Sequence, residues 1–279
     1  MHLITGLIHL IRPKQWIKNS FVLAPLLFTS FTSNLLCLHA LFATLAFCLA
    51  SSAAYIINDI RDREFDKKHV TKSKSRPIAA GIVSVSQAIL LLIFLYLLLF
   101  AYAFIAFKVF CVLVIYMLMN LAYSFGLKNQ PVFDIFIIAL GFVLRVYAGA
   151  VALSVPVSGW MLITTLSLAL YLGSIKRRQE IHLHVQQSRE VLSKYTLSLV
   201  DKYAQMSATC ALLFYSMYVL SAKPQLLYTI PIVLFGLFRY WYVVEKLEGG
   251  ESPTDVLFHD LILLLTVVTW IVACGVSLY

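Results

Sequence analysis

Charged residues are scarce in this chain of 279 residues, where Asp, Glu, Lys and Arg together make up only 13%. Apolar residues account for 61%, and the mean hydropathy is +0.87. A soluble domain of this length cannot bury so large a share of apolar side chains. The composition therefore excludes an ordinary soluble protein and predicts one that lies in a membrane.

Cysteine and catalytic motifs are sparse as well. The five cysteines lie in or beside apolar stretches without close paired spacing, so neither a zinc site nor a disulfide framework is indicated. The sequence contains no Gly-x-Ser-x-Gly elbow, Walker loop or Gly-rich dinucleotide motif. His182, His184 and His259 are not spaced with carboxylates as a metal triad. The apolar start, Met1 to Ile11, precedes its basic residues, which is the reverse of a signal peptide.

The apolar residues form about nine stretches near the length that a helix needs to cross hydrocarbon. We therefore predict an all-α, polytopic membrane bundle of about nine transmembrane helices. With no linker or low-complexity segment, residues 1–279 are expected to form a single integral-membrane domain. The predicted spans are 17–32, 36–57, 85–106, 109–125, 133–153, 159–175, 203–221, 225–244 and 259–278.

The net charge of +9 is distributed in short basic groups between these spans, a pattern that favours orientation in a membrane over binding of nucleic acid. If alternate loops share a side, only Lys108 and Lys223 of the 22 Lys and Arg residues fall on the far side. Arg145 lies within a span, which leaves 19 on the near side. By the positive-inside rule the near side is cytoplasmic, and the protein is expected in the plasma membrane. All 13 acidic residues lie on or beside the same side, which indicates a polar reaction chamber there.

The nine positions from Asn58 to Asp66 hold four of the 13 acidic residues and directly follow the second apolar span. On a helix, Asn58, Asp62 and Asp66 would form one stripe of oxygen ligands, whereas Asp59 and Glu64 would point elsewhere. Mg²⁺ binds carboxylate oxygens and completes its shell with waters and substrate phosphates. The stripe is thus a candidate catalytic metal–diphosphate site. The alternative is a solvated helical turn with salt links to Lys67 and Lys68.

Arg145 is the second notable residue, because an arginine about a dozen residues into an apolar span is costly unless it meets a cavity, a carboxylate or a phosphate. Its guanidinium suits bidentate binding of phosphate. The alternative is a structural pair with Asp134 or another acidic side chain. The nearby Gly141 and Gly149 are interpreted as packing glycines.

Further candidate substrate-binding residues lie on the side of the acidic stripe. Arg76 and Lys128 stand out. Pro77 and Gly81 indicate a defined turn that could hold Arg76 over a site, and Tyr123 and Gly126 indicate one that could hold Lys128. Lys18 could either reach lipid headgroups or turn inward to a phosphate. The remaining candidates are Lys176, which could also be an ordinary cytoplasmic flank, and Tyr123, which could also be an interface aromatic.

The pattern Asn58-Asp-x-x-Asp62-x-x-x-Asp66, followed by Arg76-Pro-Ile-Ala-Ala-Gly81, resembles the first aspartate-rich motif of the UbiA-type intramembrane prenyltransferase superfamily. That resemblance implies nine helices, Mg²⁺ and a diphosphate substrate. Over nearly the whole chain the sequence is most similar to the decaprenyl-phosphate 5-phosphoribosyltransferase branch. Further matching stretches are Arg12 to Asn19, Tyr123 to Lys128, Asp134 to Gly149, Lys176-Arg177 and Gly250 to Asp260.

One departure refines this resemblance. Members that use prenyl diphosphates carry a second aspartate-rich motif after the sixth span, where this chain reads Lys176-Arg-Arg-Gln-Glu180. Cations in place of carboxylates favour direct contact with additional phosphate groups. The resemblance thus implies transfer of 5-phosphoribose from phosphoribosyl pyrophosphate to a polyprenyl phosphate. The alternatives are prenyl transfer to an aromatic acceptor, which would need the missing motif, and a transporter, which would more typically show broken helices near the midplane.

Overall fold

The computed structural model describes residues 3–29, 34–68, 72–183, 190–246 and 253–278, and every regular element among them is helical. Four 3-10 helices occur, at Pro13–Leu23, Leu127–Asn129, Glu190–Lys194 and Pro224–Thr229. The α-helices are α1 (Leu3–Ile11), α2 (Ala24–Phe28), α3 (Asn34–Arg61), α4 (Arg63–Lys68), α5 (Lys72–Ser75), α6 (Val85–Ala103), α7 (Phe107–Phe125), α8 (Phe133–Leu153), α9 (Gly159–Leu183), α10 (Leu197–Ala222), α11 (Ile230–Lys246), α12 (Pro253–His259) and α13 (Leu261–Leu278).

Seven helices of the described part of the chain are long and apolar enough to cross a membrane. The all-α membrane bundle is therefore confirmed, while the predicted count of nine is approximate. α10 covers the seventh predicted span and has 26 residues, but it is not among the seven. The seven are α3, α6, α7, α8, α9 up to His182, the helix Pro224–Lys246, and α13.

The first predicted span, 17–32, is not one continuous α-helix. The chain instead forms the 3-10 helix Pro13–Leu23 and then the short α2, with a proline in the first turn of each. Proline fits a first helical turn but interrupts the backbone hydrogen bonds of a longer α-helix. Part of this predicted span, residues 30–33, lies outside the described residues. The N-terminal segment therefore packs against the bundle in two pieces.

Gly149 of α8 allows this segment to approach the bundle closely. A Cβ atom at this position would lie 1.9 Å from the carbonyl oxygen of Val22 and 3.2 Å from Cδ of Pro25. Backbone cannot retreat as a flexible side chain can, so no other residue fits here without displacing the 3-10 helix. The interpretation of Gly149 as a packing glycine is confirmed.

The helices at the lipid-facing surface differ in their side chains from the helix at the centre of the bundle. α6 and α13 expose apolar side chains, including Leu90, Leu97 and Val276, as expected for helices that face hydrocarbon. The centre of the bundle is lined by small residues of α3, such as Ala43 and Ala50, which are fully buried. Small residues allow membrane helices to approach closely.

Ion pairs join the helix ends at one end of the bundle. The guanidinium of Arg178 in α9 pairs with Asp201 of α10 at 2.8 Å and with Glu245 of α11 at 2.6 Å. Arg239 lies within α11 and inside the predicted span 225–244, but it pairs with Asp260 at 2.7 Å just before α13 begins. Its charge therefore reaches the same end of the bundle, where the carboxylates also lie.

Candidate active site at the charged end of the bundle

The acidic stripe keeps its helical register across the boundary between α3 and α4. The backbone N–H of Asp62 donates to the carbonyl of Asn58 at 2.9 Å, and that of Asp66 donates to the carbonyl of Asp62 at 2.8 Å. These are hydrogen bonds between residues four apart, so the three side chains follow one another along one face. Lys67 pairs with Glu64 at 3.0 Å, off this face. That hydrogen bond lowers the pKa of the exposed Glu64 carboxyl.

Lys128 lies between the first two members of the stripe. Its Nζ is 2.5 Å from Oδ1 of Asp62 and 3.4 Å from Oδ1 of Asn58. The residue is carried by the 3-10 helix Leu127–Asn129, directly after α7. Ser124 at the end of α7 also contacts Asn58, at 3.5 Å. The ammonium group therefore occupies a point that two oxygen ligands face together.

Arg76 binds the last member of the stripe. Its Nη1 lies 2.6 Å from Oδ2 of Asp66 and 2.7 Å from Oδ1 of Asp59. The turn that follows is well defined, because the amides of Ile82 and Val83 both donate to the carbonyl of Pro77. Gly81 has a φ of 73°, a conformation that suits glycine. The turn predicted from Pro77 and Gly81 is thus confirmed.

Asp59 is a site residue that the stripe argument missed. Its side chain is only 2% exposed, and its Oδ1 accepts from Nη2 of Arg12 at 2.5 Å as well as from Arg76. Its Oδ2 is buried and has no hydrogen-bond partner among the described residues. Each of the two arginines precedes a proline, Pro13 or Pro77. That shared Arg-Pro pattern is the one sequence signal that could have linked them.

Arg145 lies deeper in the bundle, where it is 5% exposed. Its Nε donates to Oδ1 of Asn19 at 2.8 Å, and its Nη2 donates to the hydroxyl of Tyr116 at 3.0 Å. Asn19 in turn donates to Ser51, which is seven residues, or about 10 Å of helix, before Asn58. Within the described part of the chain, no carboxylate forms an ion pair with Arg145, so the alternative pair with Asp134 is wrong. Its predicted contact with phosphate stays a prediction.

The remaining candidates are spread around the same end. Tyr123 is half-buried beside Ser124, and Lys18 is half-buried on the 3-10 helix next to Asn19. Lys176 lies 3.9 Å from Glu180 of the same helix. The two cations that follow it bind protein carboxylates, since Arg177 pairs with Asp134 at 3.0 Å and Arg178 pairs with Asp201 and Glu245. Arg177 therefore links α9 to α8, and Arg178 links α9 to α10 and α11.

The donor set of the stripe suits magnesium in part. No three His, Cys, Asp or Glu side chains of the described residues form a group that could hold a metal ion. Asn58 and Asp62 nevertheless direct two oxygens toward the position of the Lys128 ammonium, and oxygen ligands are those that Mg²⁺ prefers. Asp66 would complete the set if its Oδ2 turned away from Arg76. With such a turn of Asp66, the three side chains would fit a Mg²⁺ ion that keeps several waters.

Three comparisons place this geometry among known proteins. The model of the UbiA prenyltransferase family matches residues 20–265. A decaprenyl-phosphate phosphoribosyltransferase of Corynebacterium glutamicum is 33% identical over 296 aligned positions, which cover 100% of this chain and 88% of the relative. The Mycolicibacterium smegmatis protein of the same name is also 33% identical, with 100% of this chain and 94% of the relative covered.

A solved structure shares the fold at lower identity. The UbiA homolog from Archaeoglobus fulgidus bound to GPP and Mg²⁺ superposes with a TM-score of 0.76 at 19% identity. The superposition covers 98% of this chain and 99% of that chain. Sequence and fold agree, and the chain belongs to the UbiA prenyltransferase family.

Proposed function

We propose that this protein transfers 5-phosphoribose from 5-phosphoribosyl 1-diphosphate to a polyprenyl phosphate and releases diphosphate. The observation that carries the proposal is the full-length similarity to decaprenyl-phosphate phosphoribosyltransferases. In the reaction, an oxygen of the acceptor phosphate forms a bond to C1 of the ribose as the bond from C1 to the diphosphate oxygen breaks. The acceptor phosphate is already anionic, so no general base is needed.

The balance of charges in and around the stripe supports a donor that arrives with a divalent cation. Three carboxylates, Asp59, Asp62 and Asp66, are paired with three cations, Arg12, Arg76 and Lys128. A diphosphate that entered alone would add negative charge to a balanced cluster of low solvent exposure, which is unfavourable. Mg²⁺ would be held by Asn58, Asp62 and Asp66, and it would supply stabilisation of the charge that develops on the leaving diphosphate.

The protein's cations have a defined task in this scheme. Lys128 and Arg76 exchange their carboxylate partners for oxygens of the donor's phosphates, to which Arg76 presents a planar guanidinium. In this proposal Lys18, Lys176 and Tyr123 would bind the remaining phosphate groups, including the 5-phosphate. Arg177 and Arg178 position α9 rather than bind substrate, because they join α9 to carboxylates of α8, α10 and α11.

An apolar groove beside the site supports a lipid acceptor. The groove has a volume of about 160 Å³ and lies between α6 and α7, on their lipid-facing side. A smaller cavity next to it reaches Ile57 and Asn120, which neighbour the stripe through Asn58 and Ser124. A prenyl chain in this groove would bring its phosphate to the charged end of the bundle. The groove is lined by Tyr96, Val114, Met117, Leu118 and Leu121.

Sidedness follows from the same charge distribution. The protein spans a membrane several times, and we place it in the plasma membrane with the charged end and the active site facing the cytoplasm, where the positive-inside rule puts basic loops. A soluble, highly charged sugar donor would reach the site from that side. The lipid acceptor would reach it from within the bilayer.

Mass spectrometry of the lipid product tests the proposal. Purified protein, incubated with 5-phosphoribosyl 1-diphosphate, Mg²⁺ and a polyprenyl phosphate, is expected to yield a phosphoribosylated lipid. In Asp62→Asn we expect product formation to fall by about 100-fold or more, because a ligand for the charge on the leaving group is lost. Glu64→Gln, which changes an exposed carboxylate off the stripe, is the matched control and should retain activity.

The same assay addresses the principal alternative. An aromatic prenyltransferase would instead consume a prenyl diphosphate and an aromatic acceptor. Product from that pair, together with no product from any polyprenyl phosphate, would contradict the proposed reaction. Membership of a transferase family sets aside the transporter interpretation.

A further inference from the structure

The connector that follows Lys128 is held by a distant part of the chain. It runs from Asn129 to Val132 and joins the 3-10 helix of Lys128 to α8. The 3-10 helix Glu190–Lys194 and the next residue, Tyr195, contact it at both ends. These residues are more than 60 positions away in sequence, and none of the motifs of the sequence analysis includes them.

Two hydrogen bonds make the contact. At one end, Nζ of Lys194 donates to the carbonyl of Asn129 at 3.2 Å on the protein surface. At the other end, the backbone N–H of Val132 donates to the hydroxyl of Tyr195 at 2.6 Å. Asn129 directly follows Lys128, so the first bond holds the carbonyl of the residue next to the lysine.

Val132 needs such support because its backbone is strained. Its φ is 71°, in a region that β-branched residues rarely adopt. Such a conformation persists only where surrounding contacts over-determine it. Val132 also caps the N-terminus of α8, and no side-chain hydrogen bond from Val132 itself satisfies that end. The bond to Tyr195 therefore holds the turn at the point where the chain enters the membrane.

Tyr195 is itself firmly anchored. Its hydroxyl donates to Oδ1 of Asp134 at 2.7 Å, and the other oxygen of this fully buried carboxylate lies 3.0 Å from Nε of Arg177. Its ring is 6% exposed and packs among Ile135, Val191, Leu192 and Val200. Burial raises the pKa of the Tyr195 hydroxyl, so it stays protonated and donates at neutral pH. The hydroxyl thus accepts from the connector and donates to α8, and Arg177 of α9 holds the same carboxylate.

We propose that Tyr195, held by Asp134 and Arg177, is a positioning residue that keeps Lys128 in register with Asn58 and Asp62. It touches no substrate in this scheme; it acts through the connector. The inference rests on the proposed function, in which Lys128 binds a phosphate of the donor. Tyr195→Phe removes only the hydroxyl and leaves the packing of the ring in place, which makes it the appropriate variant.

Two measurements test this inference. In Tyr195→Phe we expect the KM for 5-phosphoribosyl 1-diphosphate to rise about fivefold, the effect of one hydrogen bond, with kcat changed by less than about twofold. In Lys128→Ala the added Tyr195→Phe change should have no further effect on KM, because it acts through the absent ammonium. Backbone amides of residues 127–132 should exchange with solvent deuterium faster in Tyr195→Phe than in the wild-type protein.

Tyr218→Phe, which removes the hydroxyl of a comparably buried tyrosine in α10, is the control and should change neither KM nor exchange at 127–132. Unchanged exchange in Tyr195→Phe would overturn the inference even if the wild-type protein made no ribosylated lipid, so failure of the proposed function is recognised separately. With an active wild-type protein, an unchanged KM, or additive effects in the double variant, would also overturn it.

Discussion

Asp59 illustrates how a single residue of the site depends on the tertiary structure. On α3 taken alone, helical spacing puts Asp59 on a different face from the stripe. In the folded chain, Arg12 and Arg76, 47 and 17 residues away, converge on its Oδ1. A buried carboxylate must be paired to be tolerated, and Asp59 is almost fully buried. Asp59 therefore holds Arg76 toward Asp66, a task that spacing on one helix cannot reveal.

Arg145 offers a prediction at the same scale. In Arg145→Lys the charge remains, but the planar group that serves both Asn19 and Tyr116 is lost. We expect a loss of about 1–3 kcal/mol in the free energy of unfolding, because a buried amide oxygen loses its donor. Thermal unfolding in detergent measures this, and the KM for the donor should change by less than about twofold.

Lys108→Gln, which alters an exposed cation at the far end of the bundle, is the control and should leave both quantities unchanged. A large rise in KM for Arg145→Lys at unchanged stability would instead identify Arg145 as a phosphate ligand. That result would confirm the role predicted from its position in the sequence.

At the scale of elements, the middle of α11 and the start of α13 are joined by one carboxylate. Both oxygens of Asp260 accept from Arg239, and Oδ1 also accepts from the backbone N–H of Leu263 in the first turn of α13. Asp260 thus caps the N-terminus of α13 and pairs with Arg239 of α11. The hydrogen bonds from Arg239 hold the pKa of Asp260 below its ordinary value.

This shift predicts a pH dependence of stability. A carboxyl whose pKa is lower in the folded than in the unfolded chain stabilises the fold above its ordinary pKa of about 4, and the contribution is lost as pH falls through the folded pKa. Asp260→Asn keeps an oxygen that can cap the helix but removes the charge. We expect the stability difference between wild-type and Asp260→Asn protein to be constant between about pH 6 and pH 8 and to shrink below about pH 4.

Thermal unfolding of both proteins across this range measures the difference. Asp260→Ala separates the two roles, because it also loses the cap and should cost about 1 kcal/mol more at every pH. A wild-type advantage that persisted unchanged at the lowest pH would mean that the ion pair contributes no stability.

For the whole molecule, the separation of charge between the two ends predicts its orientation. Lys67 lies on α4 beside the stripe, whereas Lys108 starts α7 at the opposite end. In a variant without the native cysteines, Lys108→Cys should react with a membrane-impermeant maleimide added to intact cells. Lys67→Cys should react only after the membrane is permeabilised. The reverse pattern would place the active site outside the cytoplasm.

Much of the architecture was accessible from the sequence, because length and hydropathy alone decide whether a helix can cross a bilayer. The predicted span 133–153 coincides with α8, and 36–57 lies within α3. The first span failed because hydropathy does not register how Pro13 and Pro25 divide the segment into two short helices. The stripe was predictable because its register depends on contacts between residues four apart.

The sequence by itself determined the membrane-embedded helical class, the one-sided distribution of charge and the acidic stripe, since each depends on composition or on spacing within one helix. Only the tertiary structure decided which cation meets which carboxylate. Lys128 pairs with Asp62, Arg76 pairs with both Asp59 and Asp66, and Arg177 pairs with Asp134. The physical reason is that the energy of an ion pair depends on separation in space and on burial, and residues 10 to 66 positions apart in the chain acquire both only when the helices pack.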